Sequence, residues 1–204
     1  MSKVITIGLD IAKNVFHAHG ADERGAMVFS RKLTRGKLLE FFAGQPACTV
    51  ALEACGGAHH WARQLEALGH DVRLIPPAYV KPFVKRNKND AVDAEAICEA
   101  MSRPSMRFVA VKTIEQQDIQ ATHRIRAGLI EQRTAKANQI RGLVAEYGLV
   151  APKELLMLRR AIPCWLEDAD NGLTARFRRL LIEQFCELSG GPCKYTGVSM
   201  QESH

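Results

Sequence analysis

The chain has 204 residues, of which 47% are hydrophobic and 25% are charged, and its formal net charge is +6 with a pI near 9.1. This length and composition are those of a globular protein with one good core and room for a second, helical unit. No stretch approaches the roughly 20 apolar residues of a membrane-spanning helix, which excludes a transmembrane helix. A strand pattern begins directly after Met1, so we expect no signal peptide and a cytoplasmic location.

Three strands in a row are predicted at the start of the chain. Residues 3–9 form an apolar, β-branched run that ends at Asp10, and residues 15–20 and 26–32 follow after short connections. Consecutive strands with short connections favour a meander, in which neighbours in sequence are neighbours in the sheet.

Helices and strands alternate in the next segment. Thr34 is suited to cap a helix that runs to about Ala43, and residues 48–52 form a short buried strand that ends at Glu53. The following elements are a helix over 58–68, a strand over 71–75, a short helix around 79–84 and a helix over 90–101. The order βββαβαβα, a meander followed by βαβ crossovers, predicts an α/β fold with a mixed five-stranded sheet of the RNase H/RuvC-like type.

The last part of the chain has a helical pattern. Few turn residues and apolar residues at helical spacing predict a long helix over 114–147, with shorter helices over 153–160 and 173–188. Such helices form an antiparallel hairpin or pair with another chain. We therefore divide the chain into an RNase H/RuvC-like domain over 1–111, a helical, coiled-coil-like extension over 112–188 and an irregular, disordered tail over 189–204.

Four acidic residues are candidates for a metal centre. Asp10 and Glu53 end the first and fourth strands, which are neighbours in this topology, so we expect both carboxylates at one edge of the sheet. Asp90 and Asp93 share a face at the start of a helix. Four converging carboxylates repel one another unless a cation neutralises them, and Mg²⁺ or Mn²⁺ accepts oxygen ligands of this kind. Two such ions activate a water or hydroxyl and stabilise the leaving oxygen of a phosphodiester.

Each of these acids also has a structural explanation when it is taken alone. An Asp after a strand is often a turn or cap residue, and an acidic first turn stabilises any helix by about 1 kcal/mol. Glu53 is harder to explain in this way, because an unpaired carboxylate that closes an apolar strand is costly. The combination of all four in this topological order favours the metal centre.

A basic cluster stands immediately before the acidic pair. We expect its side chains to neutralise phosphates that enter the metal site, and a solvated basic face is the structural alternative. No C-x-x-C pair occurs among the six cysteines, and His59 and His60 lack partners at ligand spacing, so the sequence predicts no zinc site. The basic cluster consists of Lys81, Lys85, Arg86 and Lys88.

The segments around the four acids resemble those of a known family. The motif L-E-A-C-G at residues 52–56 and the motif K-N-D-A-x-D-A at residues 88–94 are the most distinctive. Over about residues 1–187 the chain is similar to the DEDD-type insertion-sequence transposases, the insertion sequence one-hundred-and-ten family, which includes the Piv/MooV invertases. The resemblance implies that Asp10, Glu53, Asp90 and Asp93 hold two divalent ions, Mg²⁺ or Mn²⁺, in a RuvC-like domain.

The same resemblance implies a function in DNA transposition or site-specific recombination, by metal-dependent phosphodiester cleavage and strand transfer. The expected partners are DNA, a structured guide RNA that bridges donor and target DNA, and further copies of the chain bound through the helical extension. In the family a second domain with a catalytic serine follows. This chain stops within the second helical arm, which indicates a truncated copy, and neither Ser189 nor Ser199 in the tail is assigned as the nucleophile.

Three other functions fit parts of the sequence. A non-catalytic remnant would fold and bind nucleic acid without cleaving it. A stand-alone junction resolvase would cleave four-way junctions, although the long helical extension argues against it. An actin-like or sugar-kinase ATPase has D-x-G after its first strand, but Asp10-Ile11-Ala12 lacks the glycine that lets backbone amides approach a phosphate.

Overall fold

The computed structural model describes residues 3–84 and 90–190, and in the helix that begins at Asp90 it describes side chains from Val92 onward. The chain divides into two compact units between Gln117 and Asp118. Within these described ranges, no helix combines the length and the apolar character needed to cross a membrane.

The first unit is built on a five-stranded sheet in the order β3-β2-β1-β4-β5. The first three strands pair antiparallel as a meander, whereas β1 pairs parallel with β4 and β4 pairs parallel with β5. This mixed sheet confirms the predicted RNase H-like fold. The strands are β1 (Thr6–Ile11), β2 (Val15–Ala21), β3 (Met27–Thr34), β4 (Thr49–Glu53) and β5 (Asp71–Ile75).

Helices cover both faces of this sheet, and the alternation of side chains along the strands decides what each face receives. On β4, Val50 and Leu52 enter the larger core with residues of the first two helices, whereas Ala51 enters a smaller core with Ile97 of the fourth helix. The helices are α1 (Leu38–Ala43), α2 (Ala58–Ala67), α3 (Pro77–Val80) and α4 (Asp90–Met101), and 3-10 turns stand at Arg35–Lys37 and Lys81–Phe83.

Helix α4 packs on β1 at Gly8 more closely than any side chain would allow. A Cβ atom at Gly8 would lie 2.2 Å from the carbonyl oxygen of Ala94 and 2.8 Å from the backbone nitrogen of Cys98. Only glycine permits such an approach of backbone to backbone. The helix is therefore held directly against the strand that carries Asp10.

Helix α5 (Ile114–Ala145) begins in the first unit and runs on in the second, which also contains α6 (Leu155–Glu167) and α7 (Ala175–Ser189). Helix α6 reaches beyond the predicted 153–160 and continues through Pro163. Leu158 and Ile162 before the proline are buried in the core, and Trp165 and Leu166 after it pack against the same core. Ser189 and Gly190 of the predicted tail over 189–204 belong to the described residues. Ser189 is the last residue of α7, Gly190 ends the helix with a φ of 68°, and the rest of the tail lies outside the described residues.

A buried arginine, Arg178, closes the connection between α6 and α7. Its guanidinium donates hydrogen bonds at 2.6–3.1 Å to four carbonyl oxygens and to the side-chain oxygen of Asn171. Buried carbonyls without partners are costly, so Arg178 stabilises the connection between the two helices. The carbonyls belong to Trp165, Leu166, Asp168 and Leu173.

We predict that Gly8→Ala lowers the free energy of unfolding by about 1–3 kcal/mol, because the added methyl group must push α4 away from β1. Urea denaturation measures the change. Gly36→Ala is the matched control, since a Cβ there meets no atom within 4 Å, and we expect a change below about 0.5 kcal/mol. Equal effects of the two substitutions would contradict the close packing at Gly8.

Candidate metal centre

Asp10 and Glu53 lie on adjacent parallel strands. Leu9 of β1 pairs with Leu52 of β4, so the next position in the register sets Asp10 beside Glu53 on strands spaced by about 5 Å. Asp10 was expected just after its strand but lies inside it, because β1 continues to Ile11 through antiparallel pairing with β2. Glu53 is the last residue of β4.

Both carboxylates belong to the face of the sheet that α4 covers. The residues on either side of Asp10, Leu9 and Ile11, pack into the opposite core, as do Leu52 and Ala54 on either side of Glu53. Side chains alternate along a strand, so Asp10 and Glu53 extend to the other side.

Both acids affect the pKa of the Cys55 thiol. Partial burial raises its pKa, and the negative charges of Glu53 and Asp10 raise it further. A thiolate is disfavoured near like charges, and the effect falls with distance. The two carboxylates therefore act on the same small region at the carboxyl end of β4.

Asp93 approaches this face from α4, which begins at Asp90 as predicted. Its neighbour Ala94 lies on Gly8, two positions before Asp10 along β1. The Oδ1 atom of Asp93 is buried and has no hydrogen-bond partner among the described residues. A buried carboxylate oxygen without a donor suits a cation, because desolvation without compensation is costly.

The chemistry of the donor set fits Mg²⁺ or Mn²⁺, since it consists of carboxylate oxygens. Within 3–84 and 90–190, no group of three or more acidic, histidine or cysteine side chains is already arranged to hold a metal ion. The side chain of Asp90 is not among those described. The centre with all four ligands therefore stays a prediction.

Of the four predicted phosphate-binding residues, only Lys81 belongs to the described part of the chain. It is exposed in the 3-10 turn that follows α3. Lys85, Arg86 and Lys88 lie outside the described residues.

Two histidines on the α4 face were missed by the sequence reasoning. His17 of β2 lies directly opposite Asp10 in the antiparallel register, and His19 lies opposite Gly8. The signal was present in the alternation Phe16-His17-Ala18-His19, where the two apolar residues are fully buried in the larger core. Such a pattern sends both histidines to the face that carries the acids.

Comparison with known proteins identifies the family of the chain. Residues 7–149 match the model of the IS110 type of DEDD transposases, which is described as "Transposase". The chain belongs to this family. The match covers both acidic motifs and all of α5 and confirms the resemblance found in the sequence.

Several curated transposases are similar to the chain. A probable family 20 transposase of Pseudomonas aeruginosa is 56% identical over 147 residues, which cover 72% of this chain and 44% of that protein. A putative transposase of Sinorhizobium fredii, y4pF/y4sB, is 50% identical over 92% of this chain and 50% of its own length. The transposase for insertion sequence element IS1111A of Coxiella burnetii is 45% identical, again over 92% of this chain and 52% of its own length.

The chain thus spans about half the length of the curated relatives that it matches. No solved structure matches it significantly.

We predict that Cys98 of α4, which packs against Gly8 of β1, resists thiol reagents in the folded chain. Burial raises its pKa to about 11, so near pH 8 only about one molecule in a thousand carries the reactive thiolate. The exposed Cys164 is the internal control and should react rapidly with Ellman's reagent. Mass spectrometry of the labelled peptides distinguishes the two sites, and all six cysteines should react in guanidinium chloride. Equally fast labelling of Cys98 and Cys164 would mean that α4 does not stay closed on β1.

Proposed function

We propose that this chain carries the metal-dependent nuclease domain of a DNA transposase, in which Asp10, Glu53, Asp90 and Asp93 bind two Mg²⁺ or Mn²⁺ ions. The observation that carries the proposal is the parallel register that sets Asp10 beside Glu53 on the face covered by α4. Membership of the DEDD transposase family and the unpaired buried oxygen of Asp93 support it.

The contribution of the protein to this chemistry is a rigid set of acids. Asp10 and Glu53 stand on hydrogen-bonded strands, and Asp93 stands on a helix held against β1 at Gly8. Ligands on rigid elements do not need to reorganise when a substrate binds. The bound ions would activate the attacking water or hydroxyl and stabilise the leaving oxygen of a phosphodiester.

We propose DNA as the substrate, cleaved and then joined by strand transfer, with a structured guide RNA as a further partner. The net charge of +6 and the basic cluster Lys81, Lys85, Arg86 and Lys88 suit a polyanion. Self-association through a coiled coil belongs to the same proposal. It is supported by α5, on which Ile119, Ile125 and Leu129 are exposed within the described part of the chain.

Calorimetric titration with Mn²⁺ tests the metal centre. The full chain should bind Mn²⁺, and Asp10→Ala should lose the binding heat because it removes a carboxylate from the centre of the sheet. Glu23→Gln in the exposed β2–β3 turn removes the same charge elsewhere and should bind as the unaltered chain does. Equal binding by all three proteins would contradict the centre.

Nicking of supercoiled plasmid DNA with Mg²⁺ tests the activity. We expect Asp10→Asn to lower the rate by more than about 100-fold, because changes around a metal centre that spare its ligands already cost about 10–100-fold. Metal binding without nicking would instead favour the non-catalytic remnant. Cleavage restricted to four-way junctions would favour the junction resolvase.

A further inference from the structure

A second candidate site lies on the first unit, in a groove of about 510 Å³. One wall comes from α3 and the following 3-10 turn, and the other comes from residues 103–107, which follow α4. This volume is within the range of pockets that hold small ligands, roughly 300–1,000 Å³. We call it the Tyr79 groove, and its lining residues include Tyr79, Phe83, Arg103 and Arg107.

The aromatic residues of the groove differ in what covers them. The guanidinium of Arg103 lies 5.2 Å from the centre of the Phe83 ring, and a salt bridge of 2.8 Å to Glu99 holds it there. Tyr79, by contrast, exposes 43% of its surface, although the next residue, Val80, is almost fully buried in the smaller core. The structure therefore presents an aromatic ring to solvent on a firmly anchored backbone.

The charged side chains that line the groove are all positive. Arg103 and Arg107 line it, Lys81 is exposed beside it, and the lining contains no acidic side chain among the described residues. Because Glu99 already neutralises much of Arg103, the cations available to a ligand are those of Arg107 and Lys81. An exposed ring between exposed cations suits a ligand that has a flat face and a negative backbone.

A second groove of the first unit provides a contrast. There Phe108 exposes 40% of its surface and Arg73 lies 5.7 Å from the centre of its ring, so the aromatic and cationic groups are similar. This groove, however, is lined by Glu66 and Asp71 as well as by Arg63 and Lys112. Acidic side chains repel a phosphate backbone, so the absence of acids from the described lining of the Tyr79 groove makes it the better site for a polyanion.

We propose that the Tyr79 groove binds an unpaired nucleotide of a nucleic-acid strand, with its base stacked on Tyr79 and its phosphates near Arg107 and Lys81. The proposal rests on the proposed function in taking nucleic acid as the ligand. It adds that the protein binds an unpaired base of that nucleic acid. A base must leave the duplex before a side chain can stack on it, so the ligand is single-stranded or locally opened.

The position of the groove along the chain suits this role. Ile75, the last residue of β5, pairs with Glu53, and the chain reaches Tyr79 only four residues later. The Tyr79 groove thus begins near the sheet edge to which Glu53 belongs. An opened strand held there would lie close to the acids of the candidate metal centre.

Fluorescence anisotropy with labelled oligonucleotides tests the proposal on the full chain. The probes are single-stranded DNA, single-stranded RNA of the same sequence and the DNA duplex, all in EDTA so that no cleavage occurs. We expect Tyr79→Ala and Tyr79→Leu to weaken binding of at least one single strand by roughly 5- to 150-fold, the loss typical of one stacked base. Tyr79→Trp keeps a stacking ring and should bind within about twofold of the unaltered chain.

Phe108→Ala is the matched control, because it removes an equally exposed ring beside an arginine, and it should leave binding unchanged. Duplex binding should change less than about twofold in all variants, since phosphate contacts dominate it. Unchanged binding of both single strands by Tyr79→Ala, an equal loss on the duplex or an equal loss in Phe108→Ala would overturn the proposal. A preference between the DNA and RNA strands identifies which of the two the groove holds.

The outcome for the groove is separable from that for the nuclease. Loss of strand binding in Tyr79→Ala, in a chain that nicks no DNA with Mg²⁺, would support the groove and contradict the proposed nuclease. Nicking that depends on Asp10, together with intact strand binding by Tyr79→Ala, would contradict the groove alone. Thermal unfolding of each variant shows that it is folded before its affinity is compared.

Discussion

The parallel pairing of β1 with β4, held under α4, is the constraint on which the rest of the structure depends. It places Asp10 beside Glu53 in neighbouring strands and sends both to one face. The missing side chain at Gly8 then lets the helix with Asp93 settle directly on β1. Acids that are far apart in the sequence are thus brought to one face by the backbone geometry, and not by attraction between their side chains.

This gathering has an energetic cost in the free protein. Neighbouring carboxylates raise the free energy of the folded state. The pKa of Cys55, raised first by burial, is raised further by the same two negative charges. A cation that binds only the folded state would offset this repulsion, so the protein should gain stability with metal concentration. The hydrophobic core on the opposite face, around Phe16, Phe42 and Leu52, holds the strands in register whether or not a cation is bound.

The order of the elements could be read from the sequence because period-two and helical patterns are local. The same patterns gave the start of α4 at Asp90 and of α5 at Ile114. Features set by tertiary pairing could not be read. Asp10 lies inside β1 because β2 extends the pairing, and α6 passes through Pro163 because residues on both sides of the proline pack against the core of the second unit. The role of Arg178 depends on carbonyls up to 13 residues away along the chain, and the exposure of Tyr79 next to the buried Val80 depends on tertiary packing.

The most direct measurement is anomalous X-ray scattering from crystals of the chain grown with Mn²⁺. The account predicts an anomalous peak at the carboxyl ends of β1 and β4, about 2.0–2.3 Å from carboxylate oxygens of Asp10 and Glu53, with a ligand from α4. A peak elsewhere on the surface, or none at these acids in a well-ordered crystal, would contradict it.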